Sequence, residues 1–331
     1  MTREQSPSQV ALRLKRLAKD IPPTMSFLDS TNAEIIAATI RAERPALTIV
    51  DSVQSIRLPN VVGEAGNPTQ IKAASALISE AAKQSKASVI LVGQVTKDGE
   101  LAGPRLLEHL VDTVLMMEGD RYQSLRVLRV VKHRFGTTEE TAVLAMTSNG
   151  LQEVKDPSAL LLSNRPKNAA GSVLSCLMEG SRPLLIEIQA LVTTSTFATP
   201  SRRATGIDPN RLNLILAVLG RRAGVSFGDQ DVFVNVVGGI DADDPSIDLA
   251  IALALVSAKK DQPFPSDAIA IGELGLTGEL RPVQSTALRI KEAHRLGLTT
   301  IYLAHSDKLP KLSAPLLKPC VTVKEAIQMA F

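Results

Sequence analysis

The sequence predicts an α/β protein in two domains, a largely parallel sheet first and a mixed set of strands and helices second. Three observations carry this. Between residues 46 and 92 short apolar strands alternate with helical patterns, the order that builds a parallel sheet covered on both faces. A polar stretch broken by Pro157 and Pro166 interrupts that pattern. Beyond it, two strands in hairpin order open a second series of elements. A chain of 331 residues has room for about two domains at ~100–200 residues each. The expected boundaries are 1–154, a linker over 155–170, and 171–331.

Taken in order, Ser6-Pro7 has the form of a helix start, and Val10, Leu14 and Leu17 supply an apolar face to about Lys19. Residues 25–28 read as a short strand. A helix follows over 32–44, with Ile35, Ile36, Ala38 and Ile40 expected inward. The run 46–50 is a buried strand that ends in Asp51, 69–85 a helix, and 87–92 a strand running out into Gly93-Gln94. A short helix is expected at 106–110. Strands at 113–117, 125–131, 142–146 and 151–154, joined by short polar turns, are expected to extend the edge of the same sheet in antiparallel fashion. In the second half, 172–179 and 184–191 are strands, 200–207 a basic loop, and 210–222 a helix. Asp244-Pro245 caps an apolar helix that runs to about Ala258. Further strands are expected at 268–272 and 299–303, with a helix at 288–296 between them.

Composition narrows the function classes. Apolar residues are 44% of the chain but aromatics only 3%, with no Trp, so the core must be aliphatic. A net charge of +3 neither demands nor excludes nucleic acid, and any basic patch must be local. The two cysteines, Cys176 and Cys320, form no C-x-x-C pair, which removes a zinc ribbon or finger and fits a reducing compartment. The apolar run from Leu249 to Val256 is far below the ~20 residues of a membrane helix. With a polar N-terminus, the expected location is cytoplasmic, without membrane contact.

Five places can carry chemistry. Asp51 closes an apolar strand in LTIVDS, the form of a Walker B carboxylate that helps hold Mg²⁺ beside phosphates, although many parallel strands end in Asp. Gln94 ends the next strand, where an amide can sense a γ-phosphate or simply meet solvent. Glu4 can polarise a water or serve as a favourable charge near a helix start. Lys132-His133-Arg134-Phe135-Gly136 sits at a strand end, either a cationic tip that reaches phosphate or a solvated basic hairpin end. Ser246 lies in the first turn of the apolar helix, a capping serine or a nucleophile in need of a base. The four histidines are scattered, without metal-ligand spacing. No G-x-x-x-x-G-K-[ST] occurs in the chain, so the 331 residues carry no Walker A cradle for phosphates.

Several stretches together resemble the RadA (Sms) family of bacterial DNA-repair and recombination ATPases. Thr2-Arg3-Glu4-Gln5-Ser6 is similar to that family's T-G-E-E-S, with Arg3 in place of Gly. LTIVDSVQS over 47–55 is similar to its Walker B segment, and GQVTKDGELAG over 93–103 to its next strand end. Residues 132–136 (KHRFG) are similar to its K-N-R-F-G motif, with His133 in place of Asn. QDVFVNVVGG over 230–239 is similar to a strand of its C-terminal domain.

The resemblance implies a partial RecA-like P-loop NTPase sheet followed by an α+β Lon-protease-like domain (a fold shared with a ribosomal small-subunit protein). It implies a hexameric ring around single-stranded or branched DNA that promotes branch migration with ATP and Mg²⁺, with the recombinase RecA as a partner. Glu4 and Asp51 would be catalytic, and Gln94 and Lys97 nucleotide-sensing. Lys132, His133, Arg134, Phe135 and Gly136 would couple a subunit interface to DNA, and Arg202, Arg203 and Arg211 would contact DNA. The family's four-cysteine zinc motif and Walker A loop would precede Thr2. The expectation for this polypeptide alone is therefore defective ATP binding, and zinc is implied only by the family. Ser246 matches the nucleophile position of Lon, whose partner lysine is replaced by Ala287, with Lys291 one turn on. A Lon-like serine peptidase and a non-enzymatic DNA-binding scaffold are the alternatives.

Overall fold

The computed structural model describes residues 22–94, 107–119, 125–163, 165–196, 199–242, 244–306 and 314–331, with positions 9, 12, 14 and 15 besides. Most of the helix expected from Ser6 lies outside these residues, as do Glu4 and Lys97. The chain is α/β with parallel and mixed sheets, and it divides into two compact units. The first is Met1–Met116 with Val130–Thr138 and Ser148–Gly150; the second is Met117–Arg129, Glu139–Thr147 and Leu151–Phe331. No described helix is long and apolar enough to cross a membrane.

In the first unit, helix α1 (Ala33–Glu43) starts where Asn32 Oδ1 accepts from Glu34 N–H and stops at Arg44 in a left-handed conformation. Its buried face is Ala33, Ile36, Ala37 and Ile40; Ile35 and Ala38 point outward, because a period of 3.6 cannot turn 35, 36, 38 and 40 to one side. Strand β1 (Leu47–Asp51) leads to helix α2 (Pro68–Ser85), capped by Asn67 with Pro68 in the first turn, and then to strand β2 (Ser88–Val92). β1 and β2 pair in parallel, Asp51 opposite Val92. The apolar faces of α1 and α2 pack with Val50 and Ile56 on one side of this pair.

Four expectations change here. No strand forms at 25–28, and among the described residues the parallel sheet has two strands. Among the described residues helices cover one face only: Ile49 on β1 and its partner Ile90 on β2 are 55% and 49% exposed on the other. Strands β3 (Thr113–Glu118), β4 (Leu125–His133), β5 (Thr141–Thr147) and β6 (Gly150–Glu153) form their own four-stranded sheet in that order. Hairpin strands satisfy their backbone groups among themselves and need no place on the parallel edge. Of the helix expected at 106–110, Leu107 is helical and 108–110 form a hydrogen-bonded turn, while Leu106 lies outside the described residues.

In the second unit, the stretch expected as a linker contains helix α3 (Pro157–Leu162). Pro157 starts this helix instead of breaking it, because Asp156 caps it and a first-turn proline loses no hydrogen bond. Next come β7 (Ser172–Glu179), β8 (Arg182–Thr194), β9 (Arg202–Thr205), α4 (Pro209–Val218) and β10 (Gln230–Val236). Helix α5 (Asp248–Lys260), β11 (Ala268–Ile271) and the short pair β12 (Glu273–Leu274) and β13 (Leu280–Arg281) follow. The chain closes with α6 (Thr286–Arg295), β14 (Thr300–Ala304), β15 (Leu316–Cys320) and α7 (Val323–Ala330). The seven-stranded sheet has the order β15-β14-β11-β7-β8-β10-β9.

The basic loop expected at 200–207 is in fact strand β9, recruited by parallel pairing with β10. Helix α5 is apolar all round and buried from Leu249 to Val256, the centre of the main core with residues of α4 and α7. Helix α6 packs on the opposite sheet face, where Ile290 and Ala293 meet Leu174, Leu185, Ile269 and Ile301. That second layer leaves the far end of the sheet open: Leu191 on β8 is 60% exposed.

Candidate functional site

At the C-terminal ends of β1 and β2, parallel pairing places Asp51 and Gln94 on neighbouring strand exits. The chain leaves β1 through a cis Asp51–Ser52 peptide and a single 3-10 turn, Val53–Ser55. From that turn Gln54 Nε2 donates to the Gln94 carbonyl oxygen at 3.1 Å, tying the two exits together. Gln54 Oε1 is buried and has no partner among the described residues. The Asp51 carboxylate is exposed and makes no ion pair among them. Below the exits, Gln70 is buried on α2; its Oε1 accepts from Leu58 N–H, and its Nε2 donates to the Val61 and Gly63 carbonyls at 2.6 and 3.1 Å. This amide fixes the loop that follows β1.

The tip of β4 is more committed than a free cationic patch. Lys132 Nζ donates to the carbonyls of Glu108 and Val111, which fastens the strand end to the 107–111 turn. Arg134 Nη1 pairs with Asp112 Oδ1 at 2.8 Å, both side chains remaining solvent-accessible. His133 Nδ1 lies 3.0 Å from Thr113 Oγ1. A Cβ at Gly136 would stand 2.6 Å from the His133 ring, so a larger residue there requires that ring to move. Phe135 is 78% exposed and is the side chain that the tip presents.

In the second unit, Ser246 is 0% exposed. Its N–H is capped by Asp244 Oδ1 at 2.9 Å, so Asp244, not Ser246, is the capping residue. Ser246 Oγ donates to the Cys176 carbonyl at 3.3 Å and accepts from Arg289 Nη1 at 2.7 Å. Arg289 is itself buried, and its Nη2 pairs with Asp244 Oδ2 at 2.7 Å. A guanidinium stays protonated and cannot act as a base. The serine is therefore enclosed and satisfied, which removes the peptidase reading. The side chain that reaches Ser246 is Arg289; Ala287 and Lys291 are exposed. Burial would raise the Asp244 carboxyl, but Arg289 and the Ser246 and Met178 N–H groups outweigh it and hold it below the usual carboxylate value. Burial pushes the neighbouring Cys176 thiol up to about 12, which keeps it inert.

The three arginines expected on DNA have three destinations. Arg211 grips the buried Asp248 carboxylate with two nitrogens, Nε to Oδ1 at 2.8 Å, and also reaches the Leu274 carbonyl. Burial dominates at Asp248 and raises its carboxyl in spite of this partner. Arg202 lies on the α4 face of β9, where Nη1 approaches Asn213 Oδ1 at 3.4 Å. Arg203, one residue on, projects from the other, open face.

Similarity runs through the whole chain. It is 43% identical over 328 residues to the DNA repair protein RadA of Aquifex aeolicus, covering 99% of this chain and 73% of the relative. It is 44% identical over 300 residues to the DNA repair protein RadA of Streptococcus pneumoniae, covering 91% and 71%. The chain belongs to the RadA family. The DNA repair protein RadA of Pseudomonas aeruginosa is 45% identical over 298 residues, with 90% of this chain and 65% of the relative covered. Residues 210–307 also match a family model described as subunit ChlI of Mg-chelatase.

For a RadA-family chain, ATP and Mg²⁺ are the implied ligands, and the residues described fit them only in part. Asp51 is an open carboxylate at a strand exit, suited to hold a hydrated cation. No cationic side chain contacts Asp51 or Gln94 among the described residues, and no three His, Cys, Asp or Glu side chains gather there to hold a metal. Sequence reasoning missed Gln54, Gln70 and Arg289. Gln54 and Gln70 carried a faint signal, as amides just after a strand and in the first turn of a helix. Arg289 carried none, since charged residues in helices usually face water.

Proposed function

We propose that this chain binds single-stranded or branched DNA as a hexameric ring and promotes branch migration of recombination intermediates. The observation that carries this is identity of 43–45% to DNA repair proteins over at least 90% of the chain. Membership in the RadA family makes it a DNA repair and recombination protein. In this reading the first unit supplies the RecA-like part, with Asp51 and Gln94 at its nucleotide edge and Glu4 and Lys97 completing it. The 132–136 tip links that edge to a neighbouring subunit, Phe135 being the exposed contact. The second unit is of the Lon-protease-like type and serves ring assembly and DNA, with Arg202 and Arg203 as phosphate contacts. ATP drives the complete machine. The 331 residues by themselves do not turn it over, because they contain no phosphate-binding loop. RecA is the expected protein partner, and the site of action is the cytoplasm.

The test is fluorescence anisotropy of the 331-residue chain with single-stranded DNA across a salt series, with phosphate release from ATP followed in parallel. Affinity is expected to fall at least tenfold between about 50 and 200 mM salt, as displaced counterions require. Absent or salt-independent binding overturns the DNA reading. Robust DNA-stimulated ATP hydrolysis overturns the statement that this chain alone is inactive.

A further inference from the structure

The seven-stranded sheet of the second unit has an open end. Helices α4, α5 and α7 pack the face that carries Val232, Val234 and Val236. The opposite face, covered by α6 over β14, β11 and β7, carries no helix among the described residues over the C-terminal half of β8 and over β10 and β9. Registered pairing sets two rows of side chains across it. Leu191, Phe233 and Arg203 are cross-strand partners in one row. Gln189, Asn235 and Thr205 are partners in the next.

The two rows floor a concavity of about 440 Å³, walled on one side by residues 166–172. That size falls within the ~300–1,000 Å³ of small-ligand pockets. Gly171 lets the wall approach the sheet closely, since a Cβ there would lie 2.2 Å from the Ala190 carbonyl oxygen. The chemistry of the two rows differs. The first offers a half-buried aromatic ring with a cation beside it, and Arg203 makes no ion pair among the described residues. The second offers amides and a hydroxyl. Gln189 Nε2 is already given to the buried Glu187 carboxylate at 3.1 Å, so its Oε1 remains as an acceptor, while the Asn235 amide has no partner among the described residues.

A ring to stack on, amides to meet the edge of a flat heterocycle and an arginine for an anion match one nucleotide of a single strand. A duplex cannot use such a floor, because its bases are stacked on one another and closed to it. We infer that this concavity seats one unstacked nucleotide of single-stranded DNA, with the base on Phe233, its edge against Asn235 and Gln189, and its phosphate at Arg203. The inference rests on the DNA-binding reading above and gives that reading a preference for bases over bare backbone.

The experiment compares fluorescein-labelled oligo(dT) with a strand of equal length in which abasic spacers replace every base, using the full chain and anisotropy. The wild type is expected to hold the base-bearing strand about tenfold more tightly. Phe233→Leu keeps an apolar side chain of similar bulk on this open face but cannot stack, and should cut the preference to about twofold or less with abasic binding unchanged. Phe233→Tyr should retain the preference, and Arg203→Ala should weaken both strands by a similar factor. Equal affinity of the wild type for both strands, or a full preference retained in Phe233→Leu, overturns the pocket and leaves DNA binding standing. Failure to bind either strand overturns both.

Discussion

At the end of β1, Asp51 stands in solvent without a cationic partner among the described residues; before α5, Asp244 is half-buried and gripped by Arg289. Both carboxylates close or open an apolar element, and both lie at places where the family resemblance expects chemistry. Their surroundings separate them. Around Asp51 the neighbouring groups are amides, and the carboxylate oxygens remain open to a cation. Around Asp244 each carboxylate oxygen has a donor, and the guanidinium that holds it also occupies Ser246 Oγ. A group that is buried and fully satisfied stabilises the fold, and one left exposed at a strand exit keeps its capacity for a ligand.

That contrast can be broken or sharpened in three ways. The largest effect is expected for Arg289→Ala, which leaves the Asp244 carboxylate without its cation and Ser246 Oγ without its donor. The loss should be about 3 kcal/mol, read by urea unfolding. An unchanged midpoint would show that the enclosed cluster contributes nothing to stability.

A smaller effect lies in pH. The folded Asp244 carboxyl sits below its unfolded value of about 3.9, so its contribution is fully present above that pH. It is lost as pH falls through the lower folded value. Asp244→Asn should therefore be less stable than the wild type near neutrality, and the gap should narrow in acid. A gap of constant size from pH 7 to about pH 2 contradicts this origin. The smallest effect is expected for Asp51→Asn, whose unfolding free energy should stay within about 0.5 kcal/mol of the wild type. A loss of more than about 1 kcal/mol would make Asp51 structural and end the contrast.

Much of the architecture was legible in the chain. The strand–helix–strand order around Asp51 and the cap at Asp244 are local signals, and each has its counterpart in the structure. Local signals failed where a partner decides. The stretch at 25–28 has strand composition and finds no neighbour to pair with. The stretch at 200–207 has loop composition and becomes a strand because β10 offers an edge. Strand β15 and helix α7 were not foreseen, although both are regular elements of the second unit. Pro315 and Pro319 disguise the strand, which is tolerated because β15 is the outermost of its sheet.

The sequence by itself determined the class of the protein and the family whose motifs it carries, since these rest on composition, periodicity and short runs of residues. Tertiary structure decided which side chains are available. Arg202 and Arg203 are neighbours in the chain and cannot share a surface, because successive residues of a strand face opposite sides. Arg211 looked like a third phosphate contact and is held by Asp248 from another helix. Ser246, a capping serine or a nucleophile in need of a base by its sequence, is enclosed under an arginine 43 positions away. Availability depends on what long-range packing brings against a residue, and no local run of sequence encodes that.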